Sequence, residues 1–283
     1  MTYLSFLLVF VVPPLVLLLF LNWRAHAQGH LLATPLRSWP AYSAVVLHIL
    51  IAFVYTTPWD NYLVAANVWG YAPDAVIGVI GWVPIEEYAF FVLQAALTGA
   101  WLLWLGRWDR LVADGGFRAR PRLNRWITRV CAALWVGFLI LTILAHIHAD
   151  FESLTYFSLI LLWALPPLGL QLWYGADILW HYRRLVVTAV STATLYLGLA
   201  DTIALAVGTW EIKQYTKTGI YVWPHLPLEE FSFFLVTNLL LVFGMTLVLA
   251  RETQARMPWI IIATMKLLFG GRHATEAKDP MPS

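Results

Sequence analysis

Seven apolar stretches, each near the 20 or so residues that a helix needs to cross a bilayer core of roughly 30 Å, restrict this chain to one class of architecture. They cover residues 3–22, 41–57, 82–106, 126–146, 154–174, 185–207 and 226–249. Backbone polar groups in hydrocarbon must be satisfied within the segment, so runs of this kind fold as helices. The predicted fold is all-α, a polytopic membrane protein with seven transmembrane helices. The 12% charged content fits, because a soluble domain carries about 25%. A net charge of +2 gives no reason to expect a nucleic-acid partner, and the lipid bilayer is the first partner implied. The one cysteine, Cys131, lies inside an apolar run, which leaves no disulfide framework and no cysteine metal cluster. No metal or other cofactor is expected.

The ends of the chain need separate treatment. Residues 258–269 are too short to span and are expected at the interface, with 271–283 as a polar tail. Ala25-His26-Ala27 resembles a signal-peptidase site. No basic residue precedes the first run, however, the run is too long, and Pro13-Pro14 interrupts it, so residues 3–22 are read as a retained helix. Basic residues gather in alternate loops: Arg24 and Arg37; six arginines between 107 and 125; Arg183-Arg184; then Arg251 and Arg256. The positive-inside rule puts the N-terminus out and the C-terminus in. The expected location is the bacterial cytoplasmic membrane.

An internal repeat sets the organisation. Thr2-Tyr3-Leu4-Ser5 followed by Pro13-Pro14 returns 153 residues later as Thr155-Tyr156-Phe157-Ser158 followed by Pro166-Pro167. Asp60 and Trp69 return as Asp201 and Trp210 at an offset of 141. Pro84-Ile85-Glu86-Glu87-Tyr88-Ala89-Phe90-Phe91 returns as Pro227-Leu228-Glu229-Glu230-Phe231-Ser232-Phe233-Phe234 at an offset of 143. Three helices used twice, with the fourth as connector, give tandem parallel repeats. The expected division is 1–106 for the first repeat, 107–150 for the basic loop and connector, 151–250 for the second repeat, and 251–283 for the interfacial segment and tail. An even number of spans between the copies puts both acid pairs at the same end of the bundle, where they can share one cavity.

Each glutamate pair sits in the first turn of a helix opened by proline. Adjacent helical residues point about 100° apart, so a working dyad forms across the repeat, one glutamate from each copy. Like charges brought close divide into one proton donor and one acceptor. Phe90 and Phe91, with Phe233 and Phe234, lie one turn deeper on the same faces, with Tyr88 or Phe231 beside the acids. The alternative reading is that the glutamates only cap helices in headgroup water. Their duplication within a shared aromatic motif argues against it. The Pro-Pro pairs read as structural kinks. Trp69 and Trp210 read as interface anchors or substrate contacts. His48, His146 and His148 lack metal-ligand spacing, and His225 is placed to tune nearby acids.

Thr57-Pro58-Trp59-Asp60-Asn61-Tyr62, Trp69 and the Glu86-Glu87 motif resemble the first half of the membrane lycopene cyclases. Asp201 through Glu229-Glu230 to Thr237-Asn238 resembles the second half, and residues 3–249 as a whole resemble the fused form of that family. The resemblance implies a non-redox isomerase. A linear carotenoid such as lycopene is protonated at its terminal double bond, the carbocation closes onto a neighbouring alkene, and a proton leaves to give a β-type ring. It implies Glu86, Glu87, Glu229 and Glu230 as acid and base, with Asp60 and Asp201 assisting. It also implies a cation pocket of Trp59, Tyr88, Phe90, Phe91, Phe231, Phe233 and Phe234. The implied partners are lycopene and other carotenoid-pathway enzymes. The chain has no Gly-x-Gly-x-x-Gly fingerprint, unlike flavoprotein cyclases. A proton-coupled transporter and a cyclase of C50 carotenoids forming ε or γ rings are the alternatives. A retinal photoreceptor would need a lysine in the seventh helix, and 226–249 has none.

Overall fold

The structure is a computed structural model that describes residues 1–112 and 116–256. The expected interfacial segment at 258–269 and the tail at 271–283 lie outside the described residues. Each apolar run forms a helix: α1 (Tyr3–Ala27), α2 (Ala41–Ala65), α3 (Ile85–Leu105), α4 (Pro121–Ile147), α5 (Thr155–His181), α6 (Arg183–Ala206) and α7 (Leu228–Leu249). All seven are long and apolar enough to cross a membrane. A short helix, α8 (Arg251–Gln254), follows.

The most enclosed helices are α3 and α7, with 61% and 67% of their apolar windows buried, against 17% for α2 and α4. The two acid-bearing helices therefore form the centre of the bundle. Between hydrocarbon-coated helices the lipid supplies no hydrophobic drive, so association rests on packing and interhelical hydrogen bonds. A polar ladder supplies the latter. Thr98 Oγ1 on α3 meets Asn238 Oδ1 on α7 at 2.8 Å, and Asn238 Nδ2 donates to Thr194 Oγ1 on α6 at 3.2 Å. One turn from Thr98, Gln94 Nε2 donates to Thr237 Oγ1 at 3.0 Å.

Several helices run further than their apolar patterns suggest, α2 and α5 the most. Pro58 sits inside α2, where it removes one backbone donor. Side chains beside it add hydrogen bonds to carbonyls other than the one it frees: Thr57 Oγ1 donates to Phe53 O at 2.6 Å, and Asn61 Nδ2 to Thr57 O at 2.9 Å. Similarly, α5 continues to His181 through a non-helical residue at Gly175.

The proline pairs in α1 and α5 have a shared consequence. The usual partner of the Phe10 carbonyl is the N–H four residues on, and Pro14 has none. Tyr196 on α6 donates its hydroxyl to that carbonyl at 2.6 Å. Pro167 stands in the same relation to Trp163, whose carbonyl accepts from Tyr55 OH on α2 at 2.8 Å. Pro166 likewise leaves Leu162 O, which accepts from Trp135 Nε1 on α4 at 3.1 Å. The proline pairs thus supply acceptors that tie neighbouring helices together.

At the end of the bundle bearing the acids, the connections form three two-stranded ladders. Strand β1 (Trp69–Tyr71) pairs antiparallel with β4 (Trp210–Ile212), placing Trp69 opposite Ile212 and Tyr71 opposite Trp210. Two hairpins flank this ladder: β2 (Val79–Ile80) with β3 (Val83–Pro84), and β5 (Tyr221–Trp223) with β6 (Leu226–Pro227). The β2–β3 turn uses Gly81 at φ +67°, and a Cβ there would lie 2.4 Å from Asn61 Oδ1.

Candidate active site

Each hairpin delivers its last residue, a proline, directly into a helix. Pro84 and Pro227 are the N-caps of α3 and α7. Ile85 N donates to Gly78 O and Leu228 N to Ile220 O, both at 2.9 Å, which fixes where each helix begins. The two glutamates of each first turn then diverge as helical geometry requires. Glu86 turns back to its hairpin and accepts from Ile77 N at 2.7 Å; Glu229 accepts from Thr218 N at 2.6 Å. Glu87 and Glu230 point the other way, into the bundle. Glu87 accepts from Tyr3 OH, and Glu230 accepts from Tyr156 OH at 2.9 Å.

The aspartates complete the inner set. Asp60 Oδ1 accepts from Trp69 Nε1 at 3.1 Å, and Asp201 Oδ1 from Trp210 Nε1 at 3.0 Å. The β1–β4 ladder carries both indoles, so a single backbone ladder fixes both aspartates. Glu87 lies within electrostatic reach of Asp60 and Glu230, and Asp201 within reach of both Glu230 and Glu87. All four acids line one cavity of about 50 Å³. Asp60 Oδ2 and Asp201 Oδ2 are buried and have no hydrogen-bond partner among the described residues.

Aromatic rings form the remaining walls. Trp59 stacks on Trp163 with ring centres 4.6 Å apart and lies nearly parallel to Phe233 at 6.0 Å. Phe90 meets Phe234 edge to face at 6.3 Å. Trp210 packs against both Tyr3 and Phe6 at 4.9 Å. Such faces carry negative quadrupole density and attract cations.

Of the residues singled out in the sequence, Glu87, Glu230, Asp60, Asp201, Trp59, Phe90, Phe233 and Phe234 line this cavity. Glu86 and Glu229, in the same first turns, face away from it towards the segments that lead into the hairpins. Tyr88 pins its hairpin, accepting from Asn61 Nδ2 at 3.0 Å and donating to Ile80 O at 2.9 Å. Phe91 packs on Tyr88, and Phe231 on Trp223. His225 is exposed at a hairpin turn with φ 68°. Among the described residues no cluster of His, Cys, Asp or Glu is arranged to hold a metal ion.

Tyr3 and Tyr156 stand out in the sequence only as repeat markers, yet each lies at the start of a helix at the depth of an acid pair, which is a usable signal. Trp69 and Trp210, which the sequence leaves between interface anchors and substrate contacts, share the 141-residue offset of the aspartates they contact.

Comparison with known proteins places the chain. It is 37% identical to a lycopene beta-cyclase of Halobacterium salinarum over 262 residues, covering 88% of this chain and 98% of that protein. A bifunctional lycopene cyclase/phytoene synthase of Blakeslea trispora is 34% identical over 247 residues, covering 86% of this chain and 38% of the longer protein. One from Phycomyces blakesleeanus is 36% identical over 197 residues, covering 69% of this chain and 32% of its own length. No family model matches the chain, and neither does any solved structure. With near-complete coverage of a relative at this identity, the chain belongs to the membrane lycopene cyclase family.

Proposed function

We propose that this integral membrane protein cyclises the linear end groups of lycopene to β-type rings. Glu87 and Glu230 act as the acid–base pair, each supplied by a different half of the chain. The observation that carries this assignment is the convergence of Glu87, Glu230, Asp60 and Asp201 on one aromatic-walled cavity.

The reaction conserves atoms and electrons. One carboxyl delivers a proton to the terminal double bond, whose π electrons form the new C–H bond. The resulting tertiary carbocation is attacked by the neighbouring alkene, which closes the ring. A carboxylate then removes a ring proton, and that C–H pair forms the ring double bond. One proton enters and one leaves, so no redox partner is required. General acid–base catalysis of this kind contributes about 10²–10⁴-fold. Tyr3 and Tyr156 orient the two glutamates. Asp60 and Asp201, each held through one oxygen by an indole, keep the other oxygen available to exchange protons within the cavity. Trp59, Phe90, Phe233 and Phe234 present ring faces to the cation. Glu86 and Glu229 hold the hairpins from which the helices start.

The distribution of arginines supports a topology with the acid cluster at the outer side and the basic loops inside. The fusion of cyclase and phytoene synthase in the fungal relatives supports a working proximity to other carotenoid-pathway enzymes. Expression in lycopene-accumulating cells, with pigments separated by chromatography, tests the activity. Cyclic products are expected, and unchanged lycopene would refute it.

A further inference from the structure

A second cavity of about 260 Å³ lies deeper in the bundle, between α1, α3 and α6. Its walls include Leu17, Leu97, Trp101, Ala193, Tyr196 and Leu197. We infer that this crevice holds the polyene chain of the linear substrate while its end group occupies the acid cavity, and that the corresponding space in the other half is closed. The inference rests on the cyclase reading above.

Three observations converge on a hydrocarbon occupant. First, the polar atoms in the walls are already paired. Trp101 Nε1 donates to Thr192 Oγ1 at 2.7 Å, Tyr196 OH to Phe10 O at 2.6 Å, and Thr98 Oγ1 meets Asn238 Oδ1 at 2.8 Å. What remains for a ligand is apolar surface. Second, the crevice and the acid cavity are built on the same helices, and a layer of packed side chains separates them. The helices that line it are the ones that carry Tyr3, Glu87 and Asp201. Leu197 lies one turn from Asp201 on the same face, and Leu97 is about 15 Å along α3 from Glu87. Leu97 and Leu197 belong to the same packed cluster as Phe6 and Phe90 of the acid cavity. Third, the crevice opens towards lipid, since Leu17 on its rim is 56% exposed. A substrate dissolved in the bilayer would reach it laterally.

In the other half, part of the corresponding space is filled. The repeat offsets of 143 and 153 carry Trp101 onto Gly244, Leu97 onto Leu240 and Leu18 onto Gln171. Around Gly244 the room is taken: a Cβ there would lie 2.3 Å from His48 Nε2 and 3.1 Å from Gln171 Nε2. Gln171 Nε2 donates to Leu240 O at 3.0 Å, and the buried His48 ring hydrogen-bonds Ala44 O through Nδ1 at 2.8 Å. An imidazole and a carboxamide thus fill part of the counterpart of the apolar crevice. The molecule is pseudo-symmetric in its acids and asymmetric in its access.

The test compares Ala193→Trp, which fills the crevice, with Ala52→Trp at the corresponding position of the other half. Ring formation from lycopene is measured with the full chain in membranes, normalised to protein. Ala193→Trp is expected to lose at least about tenfold while Ala52→Trp stays within about twofold, since misplacement of a substrate is costly to rate. Leu17→Trp, on the exposed rim where added bulk does not strain the core, is expected to repeat the loss and carries the test if Ala193→Trp fails to accumulate. Wild-type rates in Ala193→Trp or Leu17→Trp would overturn the inference and leave the crevice to lipid acyl chains. Equal losses at Ala193 and Ala52 would also overturn it. Absence of rings with the wild-type chain would instead refute the cyclase reading.

Discussion

Two neighbouring glutamates in the same first turn do different work. Glu86 and Glu229 receive backbone N–H groups from their hairpins, whereas Glu87 and Glu230 receive tyrosine hydroxyls inside the bundle. Glutamine keeps an accepting oxygen but cannot donate or take up a proton as the acid does. Glu86→Gln and Glu229→Gln are therefore expected to retain ring formation within about threefold, whereas Glu87→Gln or Glu230→Gln removes about 10² or more, as read by pigment chromatography. Comparable losses at all four positions would contradict this division. Tyr3→Phe and Tyr156→Phe each remove one hydrogen bond to a buried carboxyl group. Such bonds are worth about 1.5–3 kcal/mol when charged, so turnover is expected to fall about tenfold with the chain still accumulating normally. The split between the adjacent glutamates follows from helix geometry and was legible in the sequence. Which member of each pair faces inward was not, because that depends on the hairpin's register with the helix start. The tyrosines escaped notice for a related reason: an aromatic at a helix start reads as an interface residue until its partner is known.

At the level of elements, the apolar runs identified all seven helices, and the main discrepancies arose at prolines and connections. The run at 41–57 stops before Pro58, yet α2 continues to Ala65 with that proline inside it. The strands are two or three residues long, too short to leave an alternating pattern. The proline pairs suggest kinks in the sequence; in the structure the acceptors they release are tied across helices by Tyr55, Tyr196 and Trp135. Tyr55→Phe leaves the Trp163 carbonyl unpaired in an apolar setting. It is expected to cost about 1 kcal/mol, within the range for interhelical hydrogen bonds in membranes, and to lower the melting temperature in detergent. An unchanged melting temperature would show that this tie contributes nothing.

For the whole molecule, the paired contacts describe two similar sets of groups meeting at one cavity. Tyr3 with Glu87 and Asp60 with Trp69 come from the first half; Tyr156 with Glu230 and Asp201 with Trp210 come from the second. The β1–β4 ladder ties the halves at the same end. With the proposed assignment, one shared cavity would process one end group at a time, so a substrate with two identical ends would visit it twice. A time course is expected to show the monocyclic carotenoid rising before the dicyclic product. Dicyclic product appearing without a monocyclic lag would argue for two sites.

We propose that Glu87 and Glu230 form one catalytic unit across the halves. The most direct test is a double-mutant comparison of ring formation using Glu87→Gln, Glu230→Gln and the combined variant. Residues that act as a unit are strongly non-additive. Each single variant is predicted to lose about 10² or more, with the combined variant falling no further than the worse single. If each half instead ran its own site, each single substitution would leave about half of the activity, and only the double variant would abolish it. That result would contradict the account.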